Sequence, residues 1–293
     1  MAKTFLTEDV FTPTSPAKWT YIERTAQERQ IKRALRTKGK QIVVYGHTGS
    51  GKTTMLNSLL AEMSVKNITT RCTRGISISD VLFDAFDQLG GYYVEQKEEG
   101  NEEKISGGLK FGIEFFSASL GGESKDVQKE IRKRIVEVQK NPNQLAKLFG
   151  NVGMVWIIED FHKLDAEPKK ELSQIMKVFM DVADKFPKLK IIAIGAVDSA
   201  RQVVHYDKEM ENRISEVNVP LIEPEDLAKI VQLGEGYLNI TFEQSVIEKI
   251  AAYSSGLASV THQCIPTASS VLILTHFLLA FAFKKSNGQI HRI

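Results

Sequence analysis

Eight contiguous residues, Gly46-His47-Thr48-Gly49-Ser50-Gly51-Lys52-Thr53, carry the clearest chemistry in the chain. They satisfy the pattern G-x-x-x-x-G-K-[ST] in full, and Thr54 extends the polar run. Glycines in such a loop let backbone N–H groups turn inward and cradle phosphate oxygens, while a following helix adds the positive end of its dipole. Lys52 would then reach the β- and γ-phosphates, and the Thr53 hydroxyl would ligate Mg²⁺. The expected ligand is Mg–ATP. GTP fits less well, because no guanine-reading N-K-x-D run is present.

A phosphate loop needs a carboxylate on the metal side, and "VWIIEDFHKLD" supplies Glu159 and Asp160 at the carboxyl end of an apolar run. Glu159 is expected to hold the Mg²⁺ shell and Asp160 to polarise the attacking water. Neighbours on a strand face opposite ways, so the two have different roles unless the chain turns there, and the reverse assignment stays open. "IIAIGAVDSARQVV" ends in Asp198, which would either touch the γ-phosphate or cap the next segment. Arg213, in "EMENRISEVNVPLIEP", is either a trans-acting arginine at a γ-phosphate or one half of a surface pair with Glu209 or Glu216. His47 reads as a variable loop position and His162 as a helix-entry residue, since neither has partners at metal-ligand spacing.

Elements at helical and strand period must position these groups. "QIVVY" (41–45), "GMVWIIED" (153–160) and "KLKIIAIGA" (188–196) are continuous apolar runs, as strands covered on both faces should be. "ITTRCT" (68–73) is a further strand. Helices are expected over 23–39, from the loop through "TTMLNSLLAEMS", over 77–90 with Ser77 or Ser79 as N-cap, and over 125–141 and 168–186. Residues 91–124 hold seven glycines, an acidic tract and a partly alternating stretch, which points to a hairpin or ordered insertion outside the core sheet. "EPEDLAKIVQLGEGY" and "TFEQSVIEKIAAYSSG" are amphipathic helices without intervening strands.

The division that follows is an extended lead-in (1–20, with Pro13 and Pro16 blocking helix), an α/β core (21–220), a helical lid (221–265) and an apolar tail (266–293). The fold class is a parallel sheet sandwiched by helices, followed by a small helical domain.

Bulk properties exclude little. The chain has 293 residues, 42% hydrophobic and 25% charged, with a formal charge of +2, so no global field advertises a nucleic acid or a membrane. Two distant cysteines, Cys72 and Cys264, read as reduced thiols of a cytosolic protein. The N-terminus has no apolar core and is not a signal peptide. Residues 264–283 lack Asp, Glu, Lys and Arg, but their dense apolar part is shorter than the ~20 residues that a spanning helix needs. A buried element is therefore expected, not a membrane anchor. The 125–140 helix carries six basic residues against three acidic ones, a solvated face first and a DNA-binding stripe second.

The order "YIER" (21–24), helix, "GHTGSGKTT", "WIIED", "AIGAVD", "ENR", helical lid resembles the AAA+ superfamily over roughly residues 11–262. It is most similar to initiator-like and STAND-type ATPases, including those of bacterial defence and transposition-helper systems. The resemblance implies that Ile22 and Glu23 flank the base, that Asp198 is sensor 1, and that Arg213 is an arginine finger mediating self-association. Three departures stand out. The acids read Glu-Asp where the superfamily usually has Asp-Glu or Asp-Asp. The lid segment "YSSGLASVTHQ" has no arginine at the sensor 2 place and carries Ala258 where STAND proteins have the proline of a "GLP" turn. No effector, repeat or winged-helix module follows.

Two functions emerge. One is an ATPase whose nucleotide state controls oligomerisation and engagement of a protein partner. The other is a slow nucleotide-gated binding module, or a DNA-associated loader, with little turnover. A small-molecule kinase is disfavoured, because the lid supplies no arginines for an acceptor site.

Overall fold

The computed structural model describes residues 5–89, 91–95, 107–111, 142–196 and 208–275. Five parallel strands form the central sheet, in the order β2-β5-β6-β1-β7. They are β1 (Gln41–Tyr45), β2 (Asn67–Arg71), β5 (Val155–Glu159), β6 (Lys190–Gly195) and β7 (Ile214–Asn218). Strand alternation divides the apolar side chains between two cores. Val43, Trp156 and Ile158 enter one; Ile42, Val44, Val155 and Ile157 enter the other.

Helices α2 (Thr25–Arg36) and α3 (Lys52–Glu62) cover the second face through Ile31, Met55 and Leu59. Helices α4 (Ile78–Leu89), α5 (Pro142–Val152) and α6 (Ala166–Asp181) cover the first. There Trp156 stacks on Phe149 at 5.2 Å and donates its indole N–H to Thr70 Oγ1 at 3.2 Å. The expected sandwich of helices on a parallel sheet is the one observed.

Differences from the sequence reading have physical causes. β7 buries only Ile214 and Val217 of its five residues because it is an edge strand, so it lacks the continuous apolar signature of β1, β5 and β6. Of the two possible caps for α4, Ser77 is the one used. Its Oγ accepts the Asp80 N–H at 3.2 Å while its own N–H donates to Asp80 Oδ2 at 3.2 Å, a capping box. The glycine-rich segment contributes a two-stranded antiparallel pair, β3 (Gly91–Glu95) with β4 (Gly107–Phe111), separate from the central sheet. The expected helix at 125–141 and the tail beyond residue 275 lie outside the described residues.

The lid is built from α7 (Pro224–Leu238), α8 (Gln244–Tyr253) and α9 (Ala258–Thr275). α9 runs through Pro266 without a break, so residue 265 is not an element boundary. The lead-in is not simply extended. One helical turn, α1 (Thr7–Val10), precedes Pro13, and Val10 and Phe11 are fully buried in the lid core with Leu227, Ile230 and Ile265. Phe11 lies so close to Gly234 that a Cβ there would fall 1.9 Å from its ring. The N-terminal segment is a component of the lid.

Candidate functional site

The loop between β1 and α3 has the shape its glycines allow. Gly51 is left-handed at φ +88° and caps α3 with no side-chain bond to the first-turn N–H groups. A Cβ at Gly51 would meet nothing within 4 Å, so the loop opens there onto free space. Lys52 lies back across the loop, its Nζ donating to the Gly46 and His47 carbonyls at 2.9 and 2.7 Å. Burial lowers the pKa of its ammonium, and the charge of Asp160 opposes that shift. Ser50 Oγ is buried with no hydrogen-bond partner among the described residues. Uncapped N–H groups, an unsatisfied hydroxyl and a lysine over the loop are what a phosphate group would satisfy. The residues fit a nucleotide polyphosphate.

The loop opens into a cavity of about 440 Å³. Thr48 to Thr54 line its floor, while Gly46 and His47 contribute the carbonyls that hold Lys52. Glu159 and Asp160 both face it, although they are adjacent. Asp160 is left-handed at φ +57° and opens a 3₁₀ turn, Phe161–Lys163, so the chain bends where the strand ends. That bend removes the opposite-face restriction. Glu159 is 6% exposed and accepts from Arg71 Nε and Nη2 at 3.2 and 2.9 Å, while Asp160 pairs with Lys163 at 2.7 Å. Among the described residues no group of three or more His, Cys, Asp and Glu side chains could hold a metal unaided. A Mg²⁺ ion here would rest on Thr53, Glu159 and ligand oxygens, the usual donor economy of that ion.

The other end of the cavity is formed by the lead-in, residues 12–17, with Tyr21, Ile22, Ile222, Ile230 and His262. Ile22 therefore lines this end of the cavity. Glu23 does not line the cavity: it is exposed to solvent. Arg24 is the residue that matters in this segment. Its Nη2 donates to the Ser50 carbonyl at 3.0 Å and its Nη1 to the Pro220 carbonyl at 3.3 Å, tying the phosphate loop to the start of the lid. Glu28 accepts from the Arg24 N–H at 3.1 Å and from the Tyr21 hydroxyl, which fixes the turn. The lid touches the loop directly: Ser259 N–H donates to the Gly49 carbonyl at 3.3 Å. His262 Nδ1 accepts the Thr12 N–H at 2.9 Å, pinning the lead-in to α9.

Asp198 lies outside the described residues, although Ile194 to Ala196, just before it, line the cavity. Arg213 ends a 3₁₀ turn before β7. Ile214 is in register with Gln41 at the amino end of β1, so Arg213 occupies the sheet edge opposite the phosphate loop. Among the described side chains its partner is not Glu216 but Asp181 at the end of α6, at 2.7 Å, while the side chain of Glu209 lies outside them. The structure thus brings the loop, both acids and Ile22 together and leaves Arg213 and Glu23 apart. Arg24, Arg71, Lys163, His162 and His262 line the same cavity. Arg71 and His262 had no local signal, because only strand register and chain crossing place them there, whereas His162 and Lys163 follow Asp160 through the same turn. His162, read as a helix-entry residue, has a buried Nδ1 with no hydrogen-bond partner among the described residues, and burial lowers its pKa.

No protein-family model matches the chain, and no curated protein matches it in sequence. Solved structures do match it. The Walker-type ATPase PABY2304 of Pyrococcus abyssi superposes with a TM-score of 0.54 at 16% identity, covering 88% of this chain and 75% of that one. The ADP form of the ORC2 protein of Aeropyrum pernix gives 0.58 at 13% identity, covering 92% and 68%. Cdc6p from Pyrobaculum aerophilum gives 0.54 at 13% identity, covering 92% and 66%. The chain has the fold of the Walker-type P-loop ATPases. It spans about two thirds to three quarters of the length of these proteins. Among the described residues no helix is long and apolar enough to cross a membrane.

Proposed function

We propose that the protein is a Mg–ATP-binding ATPase of the AAA+ superfamily, of initiator-like or STAND-like type. In this reading its nucleotide state controls self-association and engagement of a protein partner, as in a defence or mobile-element system. One observation carries the reading: a complete phosphate loop, with Lys52 folded over it, opens into a cavity that both Glu159 and Asp160 face.

The roles follow from position. Loop N–H groups and Lys52 bind the phosphates, Ile22 packs against the base, and Thr53 and Glu159 face the metal side. Bound Mg²⁺ would neutralise charge on the phosphate oxygens. Asp160 orients a water and takes its proton as the water oxygen attacks the γ-phosphorus. The bond to the bridging oxygen then breaks, giving ADP and phosphate. Asp198 would sense the γ-phosphate, as the resemblance implies, and Arg213 would act on a neighbouring copy.

A second reading, tight nucleotide retention with little turnover, is favoured by the lead-in and lid meeting over one end of the cavity, with the lid also bonded to the phosphate loop. ATPase assay of wild type and Lys52→Ala, alongside mass photometry with ADP, ATP and a non-hydrolysable analogue, tests both. Turnover abolished by Lys52→Ala with nucleotide-dependent mass supports the first reading. Co-purified nucleotide with negligible turnover supports the second. A wild type that binds no nucleotide overturns both.

A further inference from the structure

We propose that Arg71 binds the γ-phosphate in cis, so that each chain selects ATP over ADP without a second copy; this rests on the nucleotide-binding reading above. Arg71 is the last residue of β2 and stands in register with Glu159 across the sheet. Both of its bonds run to one oxygen, Glu159 Oε2. The pair is lopsided: the carboxylate side chain is 8% exposed, whereas the arginine side chain is 72% exposed at the mouth of the cavity. Ion pairs with so exposed a partner are weak, and a guanidinium moves readily to a stronger anion. Its planar fork matches phosphate oxygens in bidentate fashion.

Charge around the cavity points the same way. Among the described residues Arg24, Lys52, Arg71 and Lys163 face it, against the two carboxylates of Glu159 and Asp160. Arg24 is committed to two backbone carbonyls, and Lys52 lies on the loop. Arg71 and Lys163 are the cations held only through the site's own acids. When Arg71 swings to a terminal phosphate it also releases Glu159 for the metal side, so one side-chain movement serves both. Arg213, at the far edge of the sheet, cannot do this for its own chain.

The test measures affinity for ADP and for a non-hydrolysable ATP analogue by calorimetry, with Mg²⁺ and in EDTA. Dilute protein shown to be monomeric is used, as wild type, Arg71→Ala, Arg71→Lys, Arg213→Ala and Lys52→Ala, with thermal melts to verify folding. Arg71→Ala is expected to weaken the analogue about tenfold or more while changing ADP less than about twofold, with partial recovery in Arg71→Lys. Equal loss for both ligands, unchanged selectivity, or selectivity lost only in Arg213→Ala would overturn the proposal. Unchanged binding with faster turnover in Arg71→Ala would also overturn it, showing that the guanidinium merely restrains Glu159. A wild type that binds neither ligand, or Lys52→Ala binding as wild type, would sink the nucleotide reading itself.

Discussion

Asp160 shows how one backbone torsion sets the chemistry of two neighbours. With φ at +57° it leaves the strand, so its carboxylate joins that of Glu159 in a single cavity. Their order, Glu before Asp, then separates by depth: Glu159 is buried in the sheet and Asp160 is half-exposed at the turn. Asp160→Asn is expected to keep nucleotide affinity while lowering turnover about 10²–10⁴-fold, the range for loss of a general base. Glu159→Gln should instead weaken the Mg²⁺ dependence of binding, measured by titration of nucleotide affinity against Mg²⁺. A second residue-level consequence concerns Gly49, where a Cβ would fall 2.3 Å from Ser259 Oγ. That hydroxyl can turn aside, but Gly49 is left-handed at φ +83°, so Gly49→Ala should cost roughly 1–3 kcal/mol through backbone strain in the loop, read as lower thermal stability. The loop residues were legible because their function depends on contiguous backbone. Arg71 was not, because nothing local says which strand will lie beside β2.

Lead-in and lid behave as one element. Phe11 fills the lid core against Gly234, Thr20 Oγ1 donates to the Val10 carbonyl at 3.1 Å, and His262 accepts from Thr12. Phe11→Ala should cost roughly 3–5 kcal/mol, seen as early loss of the lid helices in thermal unfolding followed by circular dichroism. His262 gives a pH signature. It is 3% exposed, and burial pulls its pKa from 6.5 down to about 4. The folded chain keeps the imidazole neutral as the Thr12 acceptor, whereas the unfolded chain protonates near the ordinary value. Stability is therefore unaffected well above pH 6.5 and falls between 6.5 and 4, by roughly 3 kcal/mol in all. Denaturant unfolding at pH 7.5 and 4.5 should show most of this loss, and His262→Gln should flatten it. Pro13 and Pro16 were enough to exclude a helix across them. They could not say that the turn before them would be captured by a core more than two hundred residues away.

For the molecule entire, the two ends of the sheet divide the labour. The carboxyl ends of β1, β5 and β6 converge on the cavity, while Arg213 stands at the amino edge beside Asp181. If the protein assembles with nucleotide between copies, Arg213 must leave Asp181 to reach a neighbour. Arg213→Ala is then expected to reduce nucleotide-dependent oligomer mass and the concentration dependence of turnover, with monomer affinity for ADP intact. Mass photometry and a dilution series of ATPase rate measure both. A variant with wild-type assembly and rate would remove Arg213 from the function.

The alternation of apolar runs and amphipathic helices was sufficient for a covered parallel sheet and a helical lid, because periodicity is written into consecutive residues. The same holds for the phosphate loop and the paired acids, whose geometry is set within a dozen residues of backbone. Strand order, register and crossing decided the rest. They put Arg71 on Glu159, drew residues 5–20 into the lid, set Arg24 between loop and lid, and moved Arg213 to the far edge. Those outcomes depend on which distant surfaces bury the most apolar area together, and that choice belongs to the folded chain as a unit, not to any stretch of it.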